Sequence, residues 1–227
     1  YRPLAGVLTP EQLERLCAPD AGGDGYRARV RGYYDTRNAT IVRQLGPTYQ
    51  AGLIAAAPAA GENAAAASNR HLAERAGLAA GQRLLDAGCG TCGPSIDACR
   101  ALPGLTVAAI TISAEQAATG ARLIRAAGLG ERIGVQVADY HSLPFGADHF
   151  DRVWFLEAIG YAEDPARVFA EAFRVLRRGG SVYVKDVFRR GSTLTAAERL
   201  ELAEFDRVYV QRTPSAEDTA AALLSAG

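Results

Sequence analysis

The stretch Leu84-Leu85-Asp86-Ala87-Gly88-Cys89-Gly90-Thr91-Cys92-Gly93-Pro94-Ser95 constrains the fold of this chain more than any other. An apolar run ends there in an acid and passes at once into a glycine-rich turn. The hydrophobics suit a strand buried in a parallel sheet, and the glycines let backbone N–H groups approach a ligand where a Cβ would obstruct it. A nucleotide-type cofactor site is expected at this turn.

From residue 82 onward, strands and helices alternate. Arg83 to Asp86 reads as strand one, Pro94 to Leu102 as a helix, and Leu105 to Thr111, rich in β-formers and small apolar residues, as strand two. Ser113 is placed to cap the next helix, which runs to about Ala127 and stops at Gly128. Glu115 lies in its first turn and Arg122 and Arg125 near its end, as the helix dipole prefers. Ile133 to Ala138 and Arg152 to Leu156 read as strands three and four. Asp164 and Pro165 open a helix to Arg177, and Gly179-Gly180 turns into strand five, Ser181 to Val187. This alternation predicts an α/β fold, a doubly wound, mostly parallel sheet with helices on both faces.

Residues 1–80 hold no convincing strand, and helical stretches are expected at Thr9 to Cys17, Ala39 to Leu45 and Asn63 to Ala76. They read as an N-terminal helical cap and lead-in helix ahead of a core over residues 81–227. Pro58 and Gly61 interrupt an alanine-rich patch, so two helices joined by a loop are expected there. Leu223 to Gly227 reads as a helix end with a glycine C-cap, and C-terminal strands are expected to be missing.

With 227 residues, 48% of them apolar, the chain can bury a full core as one large domain. Its 25 basic and 25 acidic residues cancel, so a small-molecule substrate is expected, and neither nucleic acid nor membrane as a partner. No apolar run is long enough to span a bilayer, and Tyr1-Arg2-Pro3-Leu4 lacks the core of a signal peptide, so a cytoplasmic location is expected. Cys89 and Cys92 form a C-x-x-C without a second Cys/His pair at zinc spacing, so no metal is expected.

Gly88, Gly90 and Gly93 satisfy G-x-G-x-x-G, which keeps a dinucleotide-binding oxidoreductase in view. That reading wants an acid at the end of strand two for the ribose, where the chain has Thr111-Ile112-Ser113. Asp86 also stands before the loop, where a carboxylate suits a ligand with an amino group better than an anionic diphosphate.

Leu85-Asp86-Ala87-Gly88-Cys89-Gly90 resembles the first motif of class I S-adenosylmethionine (SAM) dependent methyltransferases. The later landmarks arrive in that family's order: Ala109-Ile110-Thr111-Ile112-Ser113 with Gln116, then Val137-Ala138-Asp139 before Leu143-Pro144-Phe145. Phe150-Asp151-Arg152-Val153-Trp154 then leads to Glu157-Ala158, and Val175-Leu176-Arg177-Arg178-Gly179-Gly180 closes the series. The Thr-Ile-Ser variant resembles the branch containing sterol, tocopherol and prenyl-diphosphate C-methyltransferases. Cys92 departs from the glycine common in the family, so a slightly displaced loop is expected.

The resemblance implies a Rossmann-like fold with SAM as cofactor. It implies that Asp86 serves the amino or methionine portion, directly or through the loop backbone, and that Gly88 and Gly90 allow close approach. Thr111, Ile112 and Ser113 would border the ribose, with Gln116 as its ligand. Asp139 would accept from the adenine amine, and Tyr140 would cover the ring. A Tyr-Tyr-Asp-like element precedes the core in that branch, which implies that Tyr33 or Tyr34 touches the methionine end or sits beside the methyl group, with Tyr33 placed on the cofactor side and Tyr34 towards the substrate.

Glu157 follows an apolar strand and should emerge at the carboxyl edge of the sheet, flanked by Trp154, Phe155 and Tyr161, a setting that suits proton abstraction, with a short-helix cap or an ion pair with an arginine as the alternative. Trp154 and Tyr161, with Tyr34, are expected in the substrate pocket. His141 is the leading histidine candidate, although a solvent-facing loop position is expected for it. Arg27, Arg29 and Arg31 match phosphate geometry or are simply solvated. The stripe Leu200, Leu202, Phe205, Val208 and Tyr209 suits a substrate pocket, a homodimer contact or a core-facing helix.

The expected function is methyl transfer from SAM to a small, largely apolar metabolite. C-methylation of an isoprenoid-like or similar secondary metabolite is preferred, with O- or N-methylation as the alternative. More distant alternatives are the NAD-type oxidoreductase and a non-catalytic SAM-binding scaffold.

Overall fold

The computed structural model describes residues 24–50, 58–191 and 193–227. Its strands are β1 (Arg83–Ala87), β2 (Thr106–Thr111), β3 (Ile133–Val137), β4 (Phe150–Leu156) and β5 (Leu176–Lys185). They pair in parallel in the order β3-β2-β1-β4-β5. The described helices are α1 (Asp24–Leu45), α2 (Ala64–Arg75), α3 (Gly93–Ala101), α4 (Ala114–Ala126), α5 (Pro165–Val175), α6 (Ala196–Tyr209) and α7 (Ala216–Ala226).

The central strands read as continuous apolar runs because each feeds two cores with alternate residues. Leu84, Val107, Ala109, Trp154 and Leu156 pack on one face with Leu72 of α2, Ile96 and Cys99 of α3 and Ile124 of α4. Leu85, Ile110, Val153 and Phe155 point to the other face, against Val168, Phe169 and Ala172 of α5 and Leu223 of α7. Burying each large apolar side chain stabilises the fold by roughly 2 kcal/mol.

Ala39 to Leu45 proves to be the end of the 22-residue helix α1. Tyr26, Val30 and Tyr33 form its buried stripe. Asn38 donates to Thr119 Oγ1 at 2.9 Å and to the Glu115 carbonyl at 3.2 Å, and Asp35 accepts from the Ser113 hydroxyl at 2.5 Å. A carboxylate at the start of α4 is also where the helix dipole favours one. These bonds fix α1 across the amino end of α4. The helix expected at Thr9 to Cys17 lies outside the described residues.

Strand five differs from the expectation. Leu176 already pairs with Phe150, and the ladder resumes at Ser181 opposite Arg152, so 177–180 form a bulge rather than the end of α5. A Cβ on Gly180 would stand 2.9 Å from the Arg177 carbonyl oxygen, which explains the glycine. The strand then stops at Lys185, which leaves Asp186 and Val187 beyond its carboxyl end. Among the described residues, no helix is long and apolar enough to cross a membrane.

Candidate active site

The chain reverses its direction of strand addition between β2 and β4, on either side of β1, and ligands of open α/β sheets bind beyond the carboxyl ends at such a point. A cavity of about 500 Å³ opens there. The β1 loop, the end of β2, residues 138–141 and Arg27 of α1 line one half; Tyr34 of α1, Pro47, Tyr49, Gln50, the end of β4 and α6 line the other.

In the first half, Asp86 is 1% exposed and accepts the Ser95 hydroxyl at 2.5 Å. Burial pushes its carboxyl up to about 6, against the lowering influence of Ser95 and of the Trp154 indole. Trp154 sits at the paired position on β4, its N–H outside hydrogen-bonding geometry. Gly88 has φ +94°, and a Cβ there would stand 2.5 Å from that of Ala158, so the turn requires glycine. The Gly88 and Cys89 N–H groups both donate to the Ile110 carbonyl at 2.9 Å. These two donors strap the loop to β2 instead of facing a ligand, while Gly88 and Gly90 both line the cavity.

Thr111 and Ile112 line the cavity, and the Thr111 hydroxyl donates to Gln116 Oε1 at 2.7 Å. That bond turns the Gln116 amide so that Nε2 lies towards Gly90. Asp139 accepts His141 Nδ1 at 2.7 Å and the His141 N–H at 2.9 Å. Desolvation opposes the charge on Asp139, but these bonds and Arg27 hold its carboxyl below the ordinary value. The Tyr140 hydroxyl donates to the Ala158 carbonyl at 3.0 Å, beside the cavity.

His141 is buried rather than solvent-facing. Its Nε2 accepts from the Glu163 and Asp164 N–H groups at 3.2 and 3.4 Å while Nδ1 serves Asp139. This bonding pattern assigns the proton to Nδ1 and commits both ring nitrogens to structure.

In the second half, Glu157 occupies the left-handed region with φ +53° and donates its N–H to the Lys185 carbonyl at 2.6 Å. Its carboxylate pairs with the Lys185 ammonium, a partner that sequence reasoning missed. Asp186 was missed too. Its Oδ2 accepts from Ile159 and Gly160 N–H groups at 2.8 and 3.3 Å, and Oδ1 from Val187 at 2.7 Å. Burial pushes the Asp186 carboxyl up to about 6 against those three bonds, and the nearby Glu157 charge adds to the rise. The one available signal was an acid near the end of strand five, and it was hidden by a strand boundary set too late.

Tyr34 and Tyr161 line this half with ring centroids 5.6 Å apart, and Phe205 and Tyr209 face it with centroids 4.7 Å apart. Of the remaining α6 stripe, Leu200 is buried and Val208 exposed.

Three expected site residues do not line the cavity. Tyr33 lies behind Tyr34, edge-on at 5.1 Å, with the Arg37 guanidinium 4.5 Å over its ring. Ser113 spends its hydroxyl on the cap of α4 and on Asp35. Trp154 is fully buried in the core with Leu84, because the strand pleat turns it away from the neighbours of Glu157. Cys92 has φ +66° and is fully buried, and a Cβ on Gly120 would stand 3.0 Å from its thiol. The thiol therefore packs against α4, and a glycine opposite makes room for it.

A family model described as a methyltransferase domain matches residues 85–184. That match covers 100 of the chain's 227 residues. The chain is similar to Methyltransferase GfsG of Streptomyces halstedii, 31% identical over 172 residues, 74% of this chain and 61% of that protein. It is also similar to sterol 24-C-methyltransferase of Eremothecium gossypii, 34% identical over 123 residues, 53% of this chain and 33% of that protein. The chain thus spans less than two thirds of either relative. Among solved structures it is similar to that of the [4+2]-cyclase SpnF, with a TM-score of 0.74 and 29% identity over 87% of this chain and 70% of that one.

The lining of the first half of the cavity fits SAM, the cofactor that the sequence resemblance implies. Asp86 is a carboxyl raised by burial, so a nearby cation would stabilise its charged form. Asp139 offers acceptors for an amine and Gln116 an amide donor, both on the cavity wall.

Proposed function

We propose that the protein is a SAM-dependent methyltransferase acting on a small, largely apolar metabolite. The observation that carries this reading is one continuous cavity: the Asp86, Gln116 and Asp139 half suits the cofactor, and an aromatic half presents Glu157 and Asp186. SAM, when bound, supplies a methyl group already activated by its sulfonium. The protein's task is then alignment in a dry pocket.

Asp86, fixed by Ser95, orients the amino end of the cofactor, Gln116 holds the ribose, and Asp139 with Tyr140 holds the adenine. Tyr34 and Tyr161 exclude water and present ring faces that stabilise positive charge at the acceptor. Glu157, whose backbone is locked by Lys185, takes the proton that the acceptor loses. C-methylation of an isoprenoid-like acceptor is the preferred form, because addition of a methyl to a π bond leaves a carbocation and needs both the aromatic faces and the base. O- or N-methylation would use the same alignment with less demand on the rings.

The likeness to a [4+2]-cyclase favours a second reading, in which the same cavity holds a reacting polyene and no methyl group moves. Incubation with methyl-labelled SAM and a metabolite extract, followed by mass spectrometry, separates the two. The first reading expects a labelled small molecule; an isomerised product without label would reject it.

A further inference from the structure

The sequence offered Arg27, Arg29 and Arg31 as a diphosphate site, and the helix they share disperses them. Arg29 and Arg31 are exposed and do not line the cavity. Among the described residues, Arg27 is the only arginine or lysine on the cavity wall. It is already engaged at the cofactor end, 3.7 Å from Asp139 Oδ2 and 3.4 Å from Glu163 Oε2.

The acceptor end carries the opposite charge. Glu157 and Asp186 both line it, and the aromatic rings of Tyr34, Tyr161 and Phe205 lie on the same cavity wall. The Lys185 ammonium offsets Glu157, whereas among the described residues Asp186 is held by the backbone N–H groups of Ile159, Gly160 and Val187. A phosphate brought here would lose its hydration and face Asp186 beside a Glu157 whose Lys185 partner is already engaged, and such repulsion grows as water is excluded. An uncharged acceptor meets neither cost and buries apolar surface against the rings. A hydroxyl or amine proton on that acceptor would find Asp186 as a fixed hydrogen-bond acceptor.

We infer that Glu157 and Asp186 act as specificity determinants, making the acceptor end select an uncharged, non-phosphorylated apolar molecule over its phosphorylated counterpart. The inference rests on assigning the Asp86 end to the cofactor, since that leaves this end for the acceptor.

Farnesol and farnesyl diphosphate form a matched pair for the test, read by displacement of the neutral dye Nile red from the intact protein, with and without magnesium. The alcohol is expected to displace the dye at a concentration at least about 10-fold lower than the diphosphate. Asp186→Asn should narrow that gap by about 10-fold, and Glu157→Gln provides the same comparison if the first variant fails to fold. Equal or tighter binding of the diphosphate in either buffer overturns the inference, as does failure of the alcohol to displace the dye. A separate SAM titration distinguishes the readings: loss of SAM binding would remove the methyltransferase proposal, whereas the order of alcohol and diphosphate reports on the charge of the pocket by itself.

Discussion

The two halves of the cavity are built differently. The cofactor half is assembled from short segments that each follow directly on a parallel strand: the loop after β1, the Thr111-Ile112 end of β2 and the Asp139-Tyr140 pair after β3. The acceptor half is gathered from α1, residues 47–50, the ends of β4 and β5, and α6, segments up to 175 residues apart in the chain, from Tyr34 to Tyr209. Strand ends are held in register by the sheet, so the first half is rigid by construction. The second depends on how helices dock, so its lining can change without disturbing the strand-end half.

The largest effect should come from breaking the cofactor half at its turn. Gly88→Val adds a β-branched side chain at φ +94°, with its Cβ 2.5 Å from that of Ala158. A loss of about 3 kcal/mol or more in urea unfolding is expected; a change within experimental error would mean that the turn is not held as described.

Next comes a change meant to separate the halves. Glu157→Gln keeps shape and removes the proton acceptor, so turnover should fall about a hundredfold while SAM affinity stays within about twofold. Turnover close to normal would remove Glu157 as the base, and a parallel loss of SAM affinity would show that the halves are not independent.

The smallest effect concerns pH. Asp86 titrates near about 3.9 in an unfolded chain and at about 6 in the folded protein. The folded state therefore binds the extra proton, and stability is lost as pH rises through that window. For the cofactor-free protein, unfolding free energy should fall by about 1 kcal/mol between about pH 5 and about pH 7 on account of this group, and Asp86→Asn should flatten that slope. An identical slope in the variant would place the titration elsewhere. Asp186 adds a similar term from the acceptor half, so Asp186→Asn compares the two halves directly.

The contrast also explains what the sequence could reveal. Strands β1 to β4 and the helices between them follow from apolar runs and turn residues, and the cofactor-side candidates lie within a few residues of those strands. Asp86, Thr111, Gln116 and Asp139 could be placed on one edge of the sheet because strand order and pleat leave little choice. Tyr33 and Tyr34 could not be told apart, since the choice depends on the rotation of α1 against α4, which Asn38 and Asp35 set through contacts some 80 residues away. Trp154 was misplaced because its position next to Glu157 in sequence says nothing of the alternate face. His141 reads in the sequence as a surface residue because its partners are backbone groups and a neighbour two residues back, which composition does not reveal.

The central claim is that the Asp86 half of the cavity holds SAM, and calorimetric titration of SAM into the wild-type protein and Asp86→Ala tests it most directly. Wild-type binding with an affinity at least about 10-fold tighter than that of the variant is the expected result. Equal affinity in both proteins, or no binding to the wild type, would contradict the account.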